Sequence, residues 1–177
     1  MVEKEKRKRA LLVIDMLNDF IREGAPLRVP GGEKIIKNIQ RKLREARRKG
    51  IPIIYLCDQH PRRDPEFRVW PPHAVKGTEG AEVVKELKPQ KGDRVIPKTT
   101  YSGFFGTKLQ KTLRGLKVTE LIITGVCTEI CVLYTAADAY MHGFQVEVPE
   151  GCVAGLTKED HRFALRQIRE VLKPKQI

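Results

Sequence analysis

The chain has 177 residues, 41% of them hydrophobic, which favours a single domain over 1–177 with a buried core. No run of about 18 apolar residues is present, and the charged tail 1–9 lacks the apolar segment of a signal peptide, so the sequence argues against a transmembrane or secreted protein and predicts a cytoplasmic one. The net charge is +12, but basic and acidic residues alternate on the predicted helices, as on thermophile surfaces, so we expect no nucleic-acid partner.

Strands and helices alternate along the chain. In chain order, the hydrophobic patterns predict a strand at 10–15, a helix at 33–49, a strand at 51–56, a proline-rich loop to about residue 80, a further helix, a short strand at 94–98, a helix at 104–114, a strand at 119–124, a helix at 129–142, a strand at 144–148 and a helix at 158–172. Gly50 and Gly143 stand where helix C-caps are expected, each just before a strand. This alternation predicts an α/β fold with a doubly wound, mostly parallel sheet and helices on both of its faces.

Two charged residues stand where predicted strands end. Asp15 closes the apolar run that starts at Ala10, and Lys98 closes the shorter run that starts at Arg94. A single charge at a strand end is weak evidence, because most such residues are only solvated loop starts. In an open parallel sheet, however, the carboxyl ends of the strands line one crevice, so we expect these two side chains to meet there.

A cysteine follows a later strand at the same structural position. The segment 120–131 predicts a buried strand that turns at a glycine into a helix, with Thr128 as the N-cap and Cys131 in the first turn. Free backbone N–H groups and the helix dipole favour an anion there, so we expect a lowered pKa for the Cys131 thiol. The alternative is that Cys131 is a small core residue. Together with Asp15 and Lys98, the pattern favours a pocket that holds an acid–base residue, a cation and a nucleophile.

The loop after the second strand carries possible metal ligands. Asp58 and His60 lie two residues apart, on the same side of the chain if the extended geometry continues, and Glu66 and His73 could close on the same point. Two imidazoles with two carboxylates form a ligand set suited to Zn²⁺, Mn²⁺ or Fe²⁺. The spacing alone leaves open the other interpretation, which is four polar residues on a wet loop surface.

The motifs resemble those of a known family. Asp15, Lys98 and the segment Gly125-Val-Cys-Thr-Glu-Ile-Cys-Val132 are similar to the Asp–Lys–Cys arrangement of the isochorismatase-like cysteine hydrolases. Asp58-Gln-His60 and the segment Trp70-Pro-Pro-His-Ala-Val-Lys-Gly-Thr-Glu-Gly80 resemble the nicotinamidase (pyrazinamidase) branch of that family, as do the segments 98–107 and 135–144. The resemblance covers nearly the whole chain.

The resemblance implies an isochorismatase-like hydrolase fold and a set of site residues. The residues that it makes catalytic are Asp15, Lys98 and Cys131. Those that it assigns to the metal are Asp58, His60 and His73, with Glu66 as a fourth ligand, and those that it assigns to the substrate pocket are Phe20, Trp70, Tyr101, Val126 and Cys127. It also implies a cis peptide bond just before Cys127, and backbone N–H donors around Cys127 and Cys131 that form an oxyanion hole.

The implied reaction is the hydrolysis of nicotinamide to nicotinate and ammonia in NAD salvage, through a thioester on Cys131. We expect one divalent metal ion that orients the substrate, Zn²⁺ before Mn²⁺ or Fe²⁺, and a homo-oligomer without a membrane partner. Two alternatives stay open: another amidase of the same family that acts on a different small amide, and a basic nucleic-acid-binding or regulatory protein without activity. Metal content and ammonia release distinguish these alternatives.

Overall fold

The computed structural model describes residues 8–173, which form a six-stranded sheet with helices on both faces. The strands are β1 (Arg9–Ile14), β2 (Ile53–Asp58), β3 (Arg94–Lys98), β4 (Glu120–Val126), β5 (Gln145–Glu147) and β6 (Val153–Ala154). Their order is β3-β2-β1-β4-β5, and β6 pairs with the last two residues of β4. All of these pairings are parallel, which confirms the predicted fold class.

Residues 8–173 contain five α-helices: α1 (Asn18–Ile21), α2 (Gly32–Arg48), α3 (Leu109–Gly115), α4 (Leu133–Met141) and α5 (Lys158–Glu170). A π-helical turn at Thr128–Val132 leads into α4. Shorter 3-10 turns occur at Pro65–Arg68, Glu79–Ala81, Lys85–Leu87 and Glu150–Cys152. In the described part of the chain, no helix has the length and the apolar character that crossing a membrane requires.

The side chains of β1 show how the sheet is covered on both faces. Leu11 and Val13 pack into the core on the side of α2, whereas Leu12 and Ile14 pack into the core on the side of α3, α4 and α5. Successive residues of a strand point to opposite faces, so a strand that is buried on both faces needs an uninterrupted apolar run. These four side chains are at most 1% exposed, as that run predicts.

The strand order reverses at β1. The chain passes from β1 through β2 and β3 to one edge of the sheet, and then returns to β4 on the other side of β1. Such a reversal opens a crevice at the carboxyl ends of the strands. Gly125 lets β4 pass close to β1 at this end, because a Cβ there would lie 1.9 Å from the Ile14 carbonyl oxygen and the φ of Gly125 is +116°. The crevice therefore begins directly beside Asp15.

Two predicted helices differ from the observed structure. The helix expected at 104–114 begins only at Leu109, because Gly106 has a φ of +66°, which a right-handed helix does not accommodate, and the Thr107 hydroxyl accepts the Leu109 N–H at the start of the helix. The further helix expected before β3 is replaced by two separate 3-10 turns. Between these turns Val83 forms an antiparallel bridge with Leu17, which requires extended backbone.

The last residue of the charged tail expected over 1–9 lies in a strand. Residues 1–7 lie outside the described residues, but Arg9 is the first residue of β1. Its guanidinium group bonds to Glu120 at 2.8 Å and also contacts Glu147. The prediction was wrong at Arg9, because this residue of β1 forms ion pairs with Glu120 on β4 and Glu147 on β5.

Candidate active site

Lys98 is the centre of a buried charged cluster at the carboxyl ends of β1, β2 and β3. Its Nζ lies 2.7 Å from Asp15 Oδ2 and 2.6 Å from Asp58 Oδ1, and it donates to the Thr100 carbonyl oxygen at 3.1 Å. The other Asp15 oxygen accepts the backbone N–H of Asp58 at 2.9 Å. The sheet register creates this arrangement, because Asp58 on β2 is paired directly with Lys98 on β3.

Cys131 joins this cluster from the π-helical turn after β4. Its Sγ lies 3.5 Å from Lys98 Nζ. Ligand atoms of Asp15, Asp58 and Cys131 all lie within 4.8 Å of one another. The structure therefore brings Asp15, Lys98 and Cys131 together from three distant segments of the chain.

The turn that carries Cys131 is capped differently from the prediction. Cys127, and not Thr128, precedes the helical turn, which makes Cys131 its fourth residue. The Thr128 hydroxyl lies 2.8 Å from His161 Nδ1, so it is engaged with a side chain of α5 and does not cap the turn. The prediction of Thr128 as N-cap is therefore wrong. The Val126–Cys127 peptide bond is cis, as the resemblance implies.

Burial and mutual interaction set the charges of the cluster. Burial raises the pKa of Asp15 to about 6, and Asp58 adds to this rise while Lys98 opposes it. Burial lowers the pKa of Lys98, but the two carboxylates outweigh that effect and hold the pKa well above its ordinary value. Burial also raises the pKa of the Cys131 thiol well above its ordinary value, against the effect of Lys98. The predicted lowering of the Cys131 pKa is therefore wrong, because the loss of water outweighs the nearby ammonium group.

A second cluster, made of possible metal ligands, lies beside the first. Ligand atoms of Asp58, His60 and His73 all lie within 4.8 Å of one another. Asp58 belongs to both clusters, since its Oδ1 accepts from Lys98 while its Oδ2 lies 3.7 Å from His60 Nε2. Glu66 adds a carboxylate oxygen 3.9 Å from His73 Nε2. The four residues that the sequence suggested as ligands are thus gathered in one place.

Both imidazole rings are oriented as those of metal-binding histidines usually are. His60 Nδ1 lies 3.1 Å from Asp64 Oδ2, and His73 Nδ1 donates to the Pro71 carbonyl oxygen at 2.8 Å, so the Nε2 atoms stay available on the side of Asp58. His60 Nε2 is buried without a hydrogen-bond partner among the described residues, which is costly unless a cation or a proton occupies that position. These residues fit a divalent metal ion.

The carboxylates around His60 attract positive charge. Burial lowers the pKa of His60, but Asp58 and Asp64 outweigh that effect and raise the pKa to about 9. Burial raises the pKa of Asp58, but Lys98 and His60 outweigh it and lower that pKa below its ordinary value. One ammonium group thus faces several carboxylates, and an additional cation in the second cluster would be stabilised by this excess of negative charge.

Both clusters open on one pocket with apolar and aromatic walls. The residues predicted to bind substrate all line it, namely Phe20, Trp70, Tyr101, Val126 and Cys127. The wall also includes Asp15, Asp58, Glu66, His73 and Cys131, whereas Lys98 and His60 lie beneath it. Trp70 Nε1 donates to the Tyr101 hydroxyl at 3.2 Å, and Phe20 meets the edge of the His73 ring with 5.4 Å between centroids.

Four residues near the pocket were missed by sequence reasoning. Leu27, Ile130 and Leu156 complete its apolar wall, and Asp64 contacts His60. Leu27 and Leu156 lie in loops without hydrophobic periodicity, so no pattern identifies them. Ile130 stands next to Cys131 in the motif and could have been found from that position.

Known proteins are similar to this chain over nearly its full length. The isochorismatase domain family matches residues 9–174. The crystal structure of a pyrazinamidase of Pyrococcus horikoshii in complex with zinc is 40% identical, covers 92% of this chain and 94% of its own, and superposes with a TM-score of 0.87. The crystal structure of nicotinamidase PncA from Bacillus subtilis is 36% identical over 94% of this chain and 97% of its own, with a TM-score of 0.89. A probable inactive nicotinamidase of Arabidopsis thaliana is 36% identical over 93% of this chain and 90% of its own length.

Proposed function

This chain belongs to the isochorismatase family of hydrolases, and we propose that it is a metal-containing cysteine amidohydrolase that converts nicotinamide to nicotinate and ammonia. One observation carries the proposal. The cluster of Asp15, Lys98 and Cys131 and the cluster of Asp58, His60 and His73 share a boundary at Asp58 and face the same pocket. A nucleophile and a site that fits a metal ion are therefore close enough to act on two ends of one small ring compound.

Asp15 is the proposed acid–base residue. It accepts the proton of the Cys131 thiol while the sulfur forms a bond to the carboxamide carbon of the substrate. The C–N bond then breaks as Asp15 returns the proton to the nitrogen, which leaves as ammonia. The raised pKa of Asp15, about 6, makes it a stronger base than an ordinary carboxylate while it still ionises at neutral pH.

Lys98 is the proposed stabiliser of the anionic states. Its ammonium group, 3.5 Å from Cys131 Sγ, remains protonated because Asp15 and Asp58 hold its pKa high. The negative charge on the tetrahedral oxygen is assigned to backbone N–H groups around Cys127 and Cys131, as the family resemblance implies. Water then attacks the thioester with Asp15 as the base, which releases nicotinate and restores the thiol of Cys131.

The proposed metal ligands are Asp58, His60 and His73, with Glu66 as a fourth. A bound divalent ion, Zn²⁺ before Mn²⁺ or Fe²⁺, would supply a Lewis acid for the ring nitrogen of the substrate. Phe20 and Trp70 supply apolar surface for the pyridine ring on the walls of the same pocket. A ring held in this way would present its carboxamide carbon to Cys131, and this positioning would make the attack efficient.

Ammonia release tests the proposed function directly. Purified protein should release ammonia from nicotinamide, and a chelator should suppress that release until Zn²⁺ is restored. Benzamide has the carboxamide but lacks the ring nitrogen, so it should be a poor substrate. Cys152→Ala is the matched control for loss of the Cys131 thiol, because Cys152 is also buried but does not line the pocket. Its ammonia release should equal that of the wild type.

Other outcomes would identify the alternatives. Metal-free protein that hydrolysed nicotinamide and benzamide equally well would indicate a general cysteine amidase for another small amide. Absence of ammonia release from any amide, together with salt-sensitive binding of DNA or RNA, would indicate a binding protein without activity. Four statements about the protein stay predictions: a single domain over 1–177, a homo-oligomer, a cytoplasmic location and the absence of a nucleic-acid partner. Size-exclusion chromatography would test the homo-oligomer.

A further inference from the structure

Asp64 occupies a position between two of the proposed metal ligands. Its Oδ2 lies 3.1 Å from His60 Nδ1, and its Oδ1 accepts the backbone N–H of Glu66 at 2.9 Å. The side chain is only 11% exposed, although it lies in the polar loop that follows β2. Both oxygens of one carboxylate are therefore engaged by residues that belong to the metal cluster.

The contact with His60 determines which ring nitrogen can bind a cation. An imidazole that donates its Nδ1–H to a carboxylate keeps the Nε2 lone pair free, and the carboxylate also raises the basicity of that lone pair. His60 Nε2 is the atom that faces Asp58, at 3.7 Å. For His73 the corresponding acceptor is the neutral carbonyl oxygen of Pro71, so of these two rings His60 is the one with a charged partner at Nδ1.

The contact with Glu66 sets the geometry of the loop. Asp64 is the N-cap of the 3-10 turn Pro65–Arg68, and its bond to the Glu66 N–H fixes the start of that turn. Glu66 Oε1 lies 3.9 Å from His73 Nε2. Asp64 therefore contributes both to the orientation of the His60 ring and to the position of Glu66.

We propose that Asp64 is a positioning residue of the metal site, which holds His60 with Nε2 toward the ion and keeps Glu66 beside His73. This inference rests on the metal-binding part of the proposed function. Asp64 is not assigned as a ligand of the second cluster, because its carboxylate lies on the Nδ1 side of the His60 ring, whereas Asp58 lies on the Nε2 side. Ligand atoms of His60, Asp64 and Glu66 also lie within 4.8 Å of one another, but an ion held there by Asp64 would require His60 Nδ1 in place of Nε2. Its action on the ion is through His60.

Metal affinity is the measurement that tests this role. The full-length protein is stripped with a chelator, and Zn²⁺ is titrated in competition with a chromophoric chelator to obtain Kd. Asp64→Ala should weaken Zn²⁺ binding by about 10–100-fold. Asp64→Asn should weaken it less, because the amide oxygen can still accept the His60 Nδ1–H. Thermal unfolding of the metal-free variants verifies that each is folded.

Two further variants separate the contact with His60 from the cap. Asp64→Ser keeps a short acceptor for the Glu66 N–H but cannot reach His60, so it should bind Zn²⁺ clearly more weakly than the wild type, although no more weakly than Asp64→Ala, which loses both contacts. Asp93→Ala is the matched control, because Asp93 also accepts a backbone N–H, that of Gln90 at 2.9 Å, at the opposite end of β3. Its Zn²⁺ affinity should equal that of the wild type.

The possible results are distinct. Wild-type affinity in Asp64→Ser together with weak binding in Asp64→Ala would show that Asp64 only caps the turn, and would overturn the inference. Unchanged affinity in all three Asp64 variants would overturn it as well, while leaving the proposed function intact. A wild-type protein that bound no Zn²⁺, Mn²⁺ or Fe²⁺ would refute the metal part of the proposed function itself, and the role of Asp64 with it.

Discussion

Replacing Asp15 by Asn tests the proposed proton transfer, because the substitution removes the base with little change in shape. The amide oxygen can still accept the backbone N–H of Asp58, which is the bond that holds Asp15 at the end of β1. The amide NH2 then faces Lys98 as a second donor, but Lys98 keeps the Asp58 carboxylate at 2.6 Å and the Thr100 carbonyl oxygen at 3.1 Å as acceptors, so its ammonium group is not left unpaired. The fold should survive, but the amide cannot accept a proton from the Cys131 thiol.

The expected loss of rate is large because Cys131 depends on this base. Burial raises the pKa of its thiol well above the ordinary value, so little thiolate forms at neutral pH without a proton acceptor. A positioned acid–base residue contributes about 10²–10⁴ to a rate. At about 1.36 kcal/mol for each factor of ten, this range corresponds to about 2.7–5.4 kcal/mol of transition-state stabilisation. Asp15 is proposed to act in both halves of the reaction, so we expect kcat to fall by at least about 10².

The assay is ammonia release from nicotinamide at saturating substrate, with thermal unfolding of the metal-loaded variant measured in parallel. Asp93→Asn is the matched control, because it makes the same chemical change at a residue that binds the Gln90 N–H far from the pocket. Its kcat should be unchanged. A folded Asp15→Asn variant that kept kcat within about tenfold of the wild type would refute Asp15 as the proton acceptor.

Three further predictions address the other site residues. Cys131→Ala should abolish ammonia release with metal content and thermal stability unchanged, whereas Cys127→Ala should stay active; the opposite pattern would contradict the assignment of the nucleophile. His60→Ala should lose bound metal in elemental analysis and raise KM for nicotinamide more than it lowers kcat, because the substrate loses its contact through the ring nitrogen; full metal content would exclude His60 as a ligand. Lys98→Met leaves two buried carboxylates without their counter-ion, so the free energy of unfolding in urea should fall by about 3–5 kcal/mol. A fall below about 1 kcal/mol, typical of exposed ion pairs, would contradict the buried charge cluster.

The positions of Asp15 and Lys98 could be predicted because they depend on short-range patterns. An apolar run identifies a buried strand, and a parallel sheet carries the ends of its strands to one edge. These two predictions needed only the period of the hydrophobic residues and the direction of the strands. For the metal cluster, the spacing of Asp58 and His60 left a polar loop surface as an open alternative, and the ligand set came from the family resemblance.

The remaining features depend on contacts between distant segments. The pKa of Cys131 is raised because the sheet, the loop after β2 and the turn after β4 together exclude water, and no local spacing reports that burial. Asp64 and Glu66 are both carboxylates in one polar loop, and only their contacts with His60 and His73 distinguish the roles that we propose for them. Thr128 is of a residue type that often caps helices, but its hydroxyl contacts His161 in the last helix. Tertiary contacts decided each of these cases.

The central place of β1 has a consequence for the synthesis of the chain. Arg9 pairs with Glu120, 111 positions later, so one edge of β1 has no native partner until β4 leaves the ribosome. At about 5–20 residues per second, the strand waits about 6–22 s with an apolar, unpaired edge, which is a template for aggregation between nascent chains. Lys8 and Arg9 place positive charges at the start of this edge in every copy. The repulsion between them disfavours pairing of two β1 strands in register while the chain is being completed.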